Sequence, residues 1–133
     1  QWLAVVDIDH FKQVNDRWGH AVGDEVILRL AQLMRACSRD ADVLCRNGGD
    51  EFIMLLPDAD LDVALQVAER LRARVAAAEI PGAGLVTVSL GVVSSEQAAG
   101  KVGGADAVLL AADAALYVAK ENGRNCVGIT EPV

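Results

Sequence analysis

The feature that most constrains this chain is Arg46-Asn47-Gly48-Gly49-Asp50-Glu51-Phe52, set between two strand-like runs. Asp40 to Cys45 alternates apolar and polar residues, and Phe52-Ile53-Met54-Leu55-Leu56 is apolar until Pro57 stops it. Asn-Gly-Gly-Asp between such runs is a strong hairpin signal, so the two strands are expected to pair antiparallel. The turn is also rich in acid. Asp50 and Glu51 are adjacent and repel each other, and a plain reversal does not need two acids ahead of an apolar strand. Paired carboxylates become favourable when a divalent cation neutralises them. An ordinary Asp-rich turn is the plainer reading, and Gly48-Gly49 supports it by supplying positive φ. The same glycines let backbone approach a bulky ligand closely.

The rest of the pattern surrounds this hairpin. Residues 2–6 form an apolar run ending in Asp7, which suits a buried strand, followed by a loop or short turn through Asp16 and Gly19. From Val22 to about Cys37, Val26, Ile27, Leu30, Leu33 and Met34 recur at helical spacing. Leu61 to about Ala78 is a second helix, with Leu61, Ala64, Leu65, Ala68, Leu71 and Val75 on one face. Leu85 to Val93 is β-rich, Ser94 to Gly104 is a surface loop, Ala105 to Lys120 is helix, and Cys126 to Ile129 is a closing strand. The order β-α-β-β-α-β-α-β predicts an α+β fold: a ferredoxin-like, palm-type βαββαβ core with an extra helix and strand. Its sheet is expected to be five-stranded, largely antiparallel and flanked by helices.

Composition narrows the function. With 133 residues, 53% hydrophobic, the chain is one domain's worth and has too much apolar content for disorder. Its formal net charge of −7 argues against non-specific nucleic-acid binding, which needs a basic footprint. An anionic nucleotide is still acceptable where a metal or a local basic cluster intervenes. Cys37, Cys45 and Cys126 lack the paired spacing of a zinc motif and read as reduced thiols of a cytoplasmic domain. No apolar run approaches the ~18 residues of a membrane span, and the first residues lack the basic n-region of a signal peptide.

Outside the hairpin, chemistry concentrates in Asp7-Ile8-Asp9-His10-Phe11-Lys12. Asp7 stands at the end of an apolar strand, where a carboxylate can leave the core and face a site. The plainer reading of Asp7 and Asp9 is helix caps or loop charges. If the neighbouring strands lie side by side, Asp7 and the hairpin acids converge at one sheet end. Two or three hard oxygen ligands plus phosphate oxygens make a magnesium site, and two such metals suit in-line displacement at phosphorus. Lys120 and Arg124, at and just beyond a helix end, are placed to hold phosphates, or else to offset the helix macrodipole. There is no Walker A motif and no dinucleotide fingerprint.

These blocks together resemble the GGDEF family, the bacterial diguanylate cyclases. Gly48-Gly49-Asp50-Glu51-Phe52 resembles the family's signature. Asp7-Ile8-Asp9-His10-Phe11-Lys12, Asn15-Asp16, Gly19-His20 and Gly23-Asp24 resemble its first block. Thr87-Val88-Ser89-Leu90-Gly91-Val92 resembles its fourth-strand block, and Ala112-Asp113, Leu116-Tyr117, Ala119-Lys120 and Gly123-Arg124-Asn125 resemble its last. The resemblance implies condensation of two GTP into cyclic di-GMP with release of pyrophosphate, in a homodimer whose subunits each hold one GTP. It implies Asp7, the Ile8 carbonyl and Asp50 as ligands of Mg2+ or Mn2+, two ions per half-site. Asp50 and Glu51 become candidate bases, and the apportioning of metal and base roles between them stays open. Lys12 is implied to stabilise charge on the transferring phosphoryl group. Backbone amides near His10 and Phe11 would cradle phosphates, Asn15 and Asp24 would read guanine, and Lys120 and Arg124 would clamp phosphates. Arg39 and Asp42, assisted by Arg70, resemble the family's inhibitory product site; solvated charges between helix and strand are the plainer reading.

Two departures stand out. The family commonly has an aromatic where Asn47 stands, which implies altered packing there. The family's opening helix and Asp-x-Leu-Thr segment are not in this sequence, which implies an N-terminally incomplete domain over residues 1–133. An upstream sensory domain is the expected partner. Two other readings compete. One is a catalytically idle domain that binds GTP or cyclic di-GMP and regulates an attached partner. The other is a palm-like nucleotidyltransferase acting on nucleic acid, which the missing basic groove disfavours.

Overall fold

The computed structural model describes residues 1–94 and 104–129. Its central strand is β1 (Trp2–Ile8), buried along its length after Trp2. Apolar residues on both faces are what a strand covered on both sides requires. Ala4, Val6 and Ile8 face one core, and Leu3 and Val5 face the other. β1 pairs antiparallel with β3 (Glu51–Leu56) on one side and with β6 (Val88–Ser94) on the other. β2 (Val43–Arg46) extends the sheet beyond β3, and β7 (Val127–Ile129) joins β6 in parallel, in the order β2-β3-β1-β6-β7. The predicted five-stranded, largely antiparallel sheet is therefore what forms. β4 (Glu79–Ile80) and β5 (Gly84–Leu85) make a separate small hairpin.

Helices α2 (His20–Cys37) and α3 (Leu61–Ala77) cover the face of Ala4, Val6 and Ile8. Asp60 caps α3 by accepting the Val63 amide at 2.9 Å, which satisfies one of the first-turn donors. Within α3 the buried stripe is Ala64, Val67, Ala68, Leu71 and Val75. Leu61 and Leu65, expected on it, are instead exposed and half-buried, respectively. α4 (Gly104–Glu121) covers the opposite face, packing Val108, Ala112 and Leu116 on Leu3, Val5 and Val93. It lies very close to the sheet because Gly91 and Gly128 stand beneath it. A Cβ at Gly91 would come within 2.5 Å of the Ala112 carbonyl oxygen and 2.9 Å of the Ala115 carbonyl carbon, besides meeting the Leu116 amide. One at Gly128 would meet the Ala119 amide nitrogen at 2.8 Å.

The structure corrects several sequence expectations. The stretch after β1 is not a loop but helix α1 (Phe11–Trp18). Its eight residues include none that is fully buried, so no apolar stripe announces it; Phe11 and Val14 alone lean on the core. Gly19, with φ at 91°, breaks it from α2. The β-rich stretch from Leu85 divides at Val86-Thr87 into β5 and β6. Of the loop expected over Ser94–Gly104, residues 95–103 lie outside the described residues. Among the described residues no helix is long and apolar enough to cross a membrane. Cys37, Cys45 and Cys126 are free thiols, with Cys37 buried and Cys45 exposed.

Candidate active site

The sheet's register builds the site. Asp7 stands opposite Glu51 across the β1–β3 pair, so the end of β1 meets the start of β3. The Ile8 amide donates to the Asp50 carbonyl at 3.1 Å and locks the hairpin tip to β1. Asp7 continues the face of Leu3 and Val5, the face α4 covers, and Lys120 in the last turn of α4 donates to its Oδ2. Among the described residues the other oxygen, Oδ1, is buried without a donor of its own, and the Asp50 carboxyl approaches closely enough to raise Asp7. Burial pushes the Asp7 carboxyl up to about 6; the Lys120 hydrogen bond opposes this and the Asp50 charge adds to it. Burial also raises Glu51, helped by the charges of Asp113 and Asp50 and opposed by a hydrogen bond from Asn47.

Side chains hold the hairpin in shape. Arg46 donates to the carbonyls of Gly48 (2.9 Å) and Gly49 (2.6 Å), turning its guanidinium into a brace across the turn. The Asn47 amide nitrogen donates to the Glu51 carbonyl at 2.7 Å, and its side chain reaches Glu51 Oε1 at 3.3 Å. An aromatic at position 47 cannot supply that second bond. Residue 47 therefore acts on a candidate base here, beyond the packing change expected of it.

Two further segments close the cleft. His10 adopts a left-handed conformation (φ 57°) and starts α1 without any side-chain cap, so the first-turn amides lack a side-chain acceptor. After α4, Gly123, Arg124 and Asn125 are all left-handed, with φ of 107°, 64° and 49°. The Arg124 amide donates back to the Ala119 carbonyl at 3.1 Å. Lys120 and Arg124 thereby line one cleft of about 230 Å3 together with Asp7 to Gln13 and Asp50. Lys12, Lys120 and Arg124 supply its positive charge. Asp9, expected as a cap or a loop charge, is neither: it is buried and accepts from the Thr87 and Ser89 hydroxyls at 2.7 Å each and from the Asn125 amide at 3.0 Å.

Asn15 and Asp24 lie outside this cleft, at the corner between α1 and α2. Gly23 is buried there because Asn15 occupies the space of a side chain; an added Cβ would sit 3.0 Å from Asn15 Cγ and 3.4 Å from Phe11 Cζ. Phe11 thus connects the cleft to the corner, and Asp24 is exposed beside it. Arg39 and Asp42 form a closed pair far along the chain from both. Asp42 accepts the Arg39 backbone amide at 2.8 Å and two guanidinium bonds at 3.0 and 2.8 Å, and its side chain has no exposed surface. Arg39 also donates to the Pro57 carbonyl at 2.7 Å. Arg70 sits on the outer face of α3 beside Gln66 and Ala73.

Does this cleft suit a hard cation? Among the described residues no three His, Cys, Asp or Glu side chains cluster as a self-sufficient metal site. Two carboxylates do converge, and one presents a buried, unpartnered oxygen. That donor set suits magnesium, which takes one or two carboxylates and completes its shell with water and phosphate.

A five-stranded sheet carrying paired acids at one rim, opposite basic residues at the end of a helix, makes a cleft suited to a metal-neutralised anionic ligand. Comparison with known proteins identifies the family. The profile of the diguanylate cyclase GGDEF domain matches residues 2–126. Diguanylate cyclase DgcM of Escherichia coli is 43% identical over 125 residues, covering 94% of this chain and 30% of that protein. Response regulator PleD of Caulobacter vibrioides is 40% identical over 128 residues, covering 92% of this chain and 28% of that protein. The chain thus spans less than a third of either relative. Among solved structures, the active GGEEF domain of a diguanylate cyclase from Vibrio cholerae superposes with a TM-score of 0.87 at 32% identity, covering 99% of this chain and 83% of that one. The GGDEF domain of DgcB from Caulobacter crescentus, solved in complex with c-di-GMP, gives 0.85 at 35% identity, covering 96% and 76%. The chain belongs to the GGDEF family.

Proposed function

We propose that this domain is a diguanylate cyclase that joins two GTP molecules into cyclic di-GMP with loss of two pyrophosphates. The observation that carries the reading is the buried, unpartnered Asp7 Oδ1, facing Asp50 in a cleft whose other wall is Lys12, Lys120 and Arg124. Asp7, the Ile8 carbonyl and Asp50 would hold Mg2+ or Mn2+, two ions per half-site. Bound there, the metal would polarise the phosphoryl oxygens and make the ribose 3′-hydroxyl more acidic.

The chain's own residues do the rest. Lys120 and Arg124, with the uncapped first-turn amides of α1, hold the triphosphate in the cleft and neutralise the leaving pyrophosphate. Lys12 stabilises charge growing on the transferring phosphoryl group. Asp50 or Glu51 takes the proton from the 3′-hydroxyl as its oxygen attacks the α-phosphorus of the second GTP. Asn15 and Asp24 pair with the guanine edge, an acid accepting from N1 and N2. The attacking hydroxyl and the attacked phosphorus come from two nucleotides, so two subunits facing each other supply the reacting pair and proximity does much of the catalysis. A sensory domain joined to this one would control that encounter in the cytoplasm. Intact Asp7, Asp50 and Glu51 support an enzyme over an idle binding module. Arg39 carries the feedback site in this reading, held in place by Asp42, with Arg70 contributing from a neighbouring surface.

Incubation with GTP and magnesium tests the proposal directly. Asp50→Ala should abolish cyclic di-GMP while the melting temperature stays near that of the unmutated protein, because the hairpin tip adds little to the core. Normal product from this variant refutes the assignment.

A further inference from the structure

Asp9 is a carboxylate in the cleft that the proposed chemistry does not use. Its two oxygens are spoken for: Oδ1 accepts the Ser89 hydroxyl, and Oδ2 accepts the Thr87 hydroxyl and the Asn125 amide. Its own amide donates to the Thr87 carbonyl at 2.9 Å. Two residues earlier, Asp7 Oδ1 has no such partner. The Asp-Ile-Asp pair is therefore divided, with one acid open to a ligand and the other committed to backbone and hydroxyl donors.

The Asn125 amide is the informative partner. It belongs to a run of three positive-φ residues, in which Arg124 carries a Cβ that resists the conformation and Asn125 tolerates it. Such a run persists only where surrounding bonds over-determine it. The bonds here include the Gly123 amide to the Lys120 carbonyl, the Arg124 amide to the Ala119 carbonyl, Arg72 to Asn125 Oδ1 at 3.0 Å, and the Asn125 amide to Asp9 Oδ2. Of these, only Asp9 ties the turn to the β1–α1 loop, just ahead of Phe11 and Lys12 in the first turn of α1.

We propose that Asp9 is a positioning residue for phosphate binding: it pins the turn after α4 to the β1–α1 loop and so holds Arg124 across the cleft from the first-turn amides of α1. The inference rests on the triphosphate-binding role proposed above for that cleft. Without this tie the turn relaxes toward ordinary backbone angles and Arg124 withdraws.

The test is a double-mutant cycle on affinity for α,β-methylene GTP with magnesium, measured by calorimetry, so no turnover is needed. Arg124→Ala should weaken binding by about tenfold, the size of one lost charge-assisted contact. Asp9→Asn, which turns an amide toward donors, should weaken it comparably, and the double variant should be no weaker than either single one. Hydrogen exchange at the Asn125 amide should rise in Asp9→Asn and not in Arg124→Ala. Ser89→Ala removes a bond on Oδ1 only and should leave the affinity near normal. Should Asp9→Asn fail to fold, Thr87→Val, which loosens Oδ2, carries the same cycle and the same exchange measurement. Additive losses, unchanged affinity in Asp9→Asn, or an equal loss in Ser89→Ala overturn the proposal. An unmutated chain that binds the analogue and makes no cyclic di-GMP refutes the cyclase reading alone. One that does not bind it refutes both.

Discussion

Replacing Gly91 by Ala should damage a site it never touches. The added methyl would sit 2.5 Å from the Ala112 carbonyl oxygen and 2.9 Å from the Ala115 carbonyl carbon, on backbone that cannot rotate away. Ordinary contact needs about 3.5 Å, so α4 must lift from β6 by ~1 Å. Overpacking of this kind costs ~1–3 kcal/mol, reduced slightly because alanine suits a strand better than glycine. For a chain of 133 residues, that lowers the melting temperature by about 4 °C per kcal/mol. The displacement travels along a rigid helix to Lys120, one turn beyond Leu116, and moves its ammonium away from Asp7. A misplacement of ~1 Å in a catalytic group costs ~10²-fold in rate. Scanning calorimetry and cyclic di-GMP formation measure the two effects on one preparation. Gly49→Ala is the control for stability, since its added methyl meets nothing within 4 Å. A Gly91→Ala protein with unchanged melting temperature and full turnover refutes the reasoning.

Asp24→Ala should weaken GTP binding by at least tenfold and leave ATP binding unaltered, because adenine offers the carboxylate no matching donors; equal affinity of the unmutated protein for both nucleotides sinks the assignment. Arg39→Ala should lower stability by ~2 kcal/mol, since the buried Asp42 carboxylate loses two charged donors and keeps only a backbone amide. The same variant should lose cyclic di-GMP binding in calorimetry, and unchanged affinity removes Arg39 from the feedback site. In EDTA, Asp7 should make the fold less stable as pH rises. Its folded carboxyl lies near 6, above the usual 3.8, so its favourable contribution is complete below about pH 4 and lost as pH climbs through 6. Asp7→Asn cannot ionise and should flatten that part of the stability profile in urea titrations; an unchanged profile excludes Asp7 as its source.

The hairpin and the long strands were legible because their signals are local. Asn47-Gly48-Gly49-Asp50 specifies a reversal, and the apolar run of β1 specifies burial on both faces. The convergence of Asp7 with Asp50 followed once β1 and β3 were neighbours, since both acids stand at strand ends. Helix α1 was not legible: it is short, lacks any fully buried residue, and leans on the core through Phe11 and Val14 and on Gly23 through Asn15. Asp9 escaped because its donors come from Thr87, Ser89 and Asn125, distant in sequence and brought together only by the sheet and the turn after α4. Nothing local marks Arg46, because its role as a brace depends on the carbonyl directions of Gly48 and Gly49. Spacing joined Arg39 and Asp42 in one short motif, but could not show that the acid accepts the arginine's own backbone amide and guanidinium.

Strand β1 also separates two ends of the molecule. Trp2 lies beside Leu56 and Ser94 at one rim of the sheet, and Asp7 lies beside Glu51 and Ser89 at the other. At ~3.3 Å per residue, the strand holds them about 17 Å apart. Chain joined ahead of Trp2 meets the domain on the rim opposite its chemistry. Under the proposed function, a signal arriving from that side would act away from the acids and the basic helix end. It would work by orienting the domain, as a handle aims a tool, so that the meeting of two such domains becomes the controlled variable.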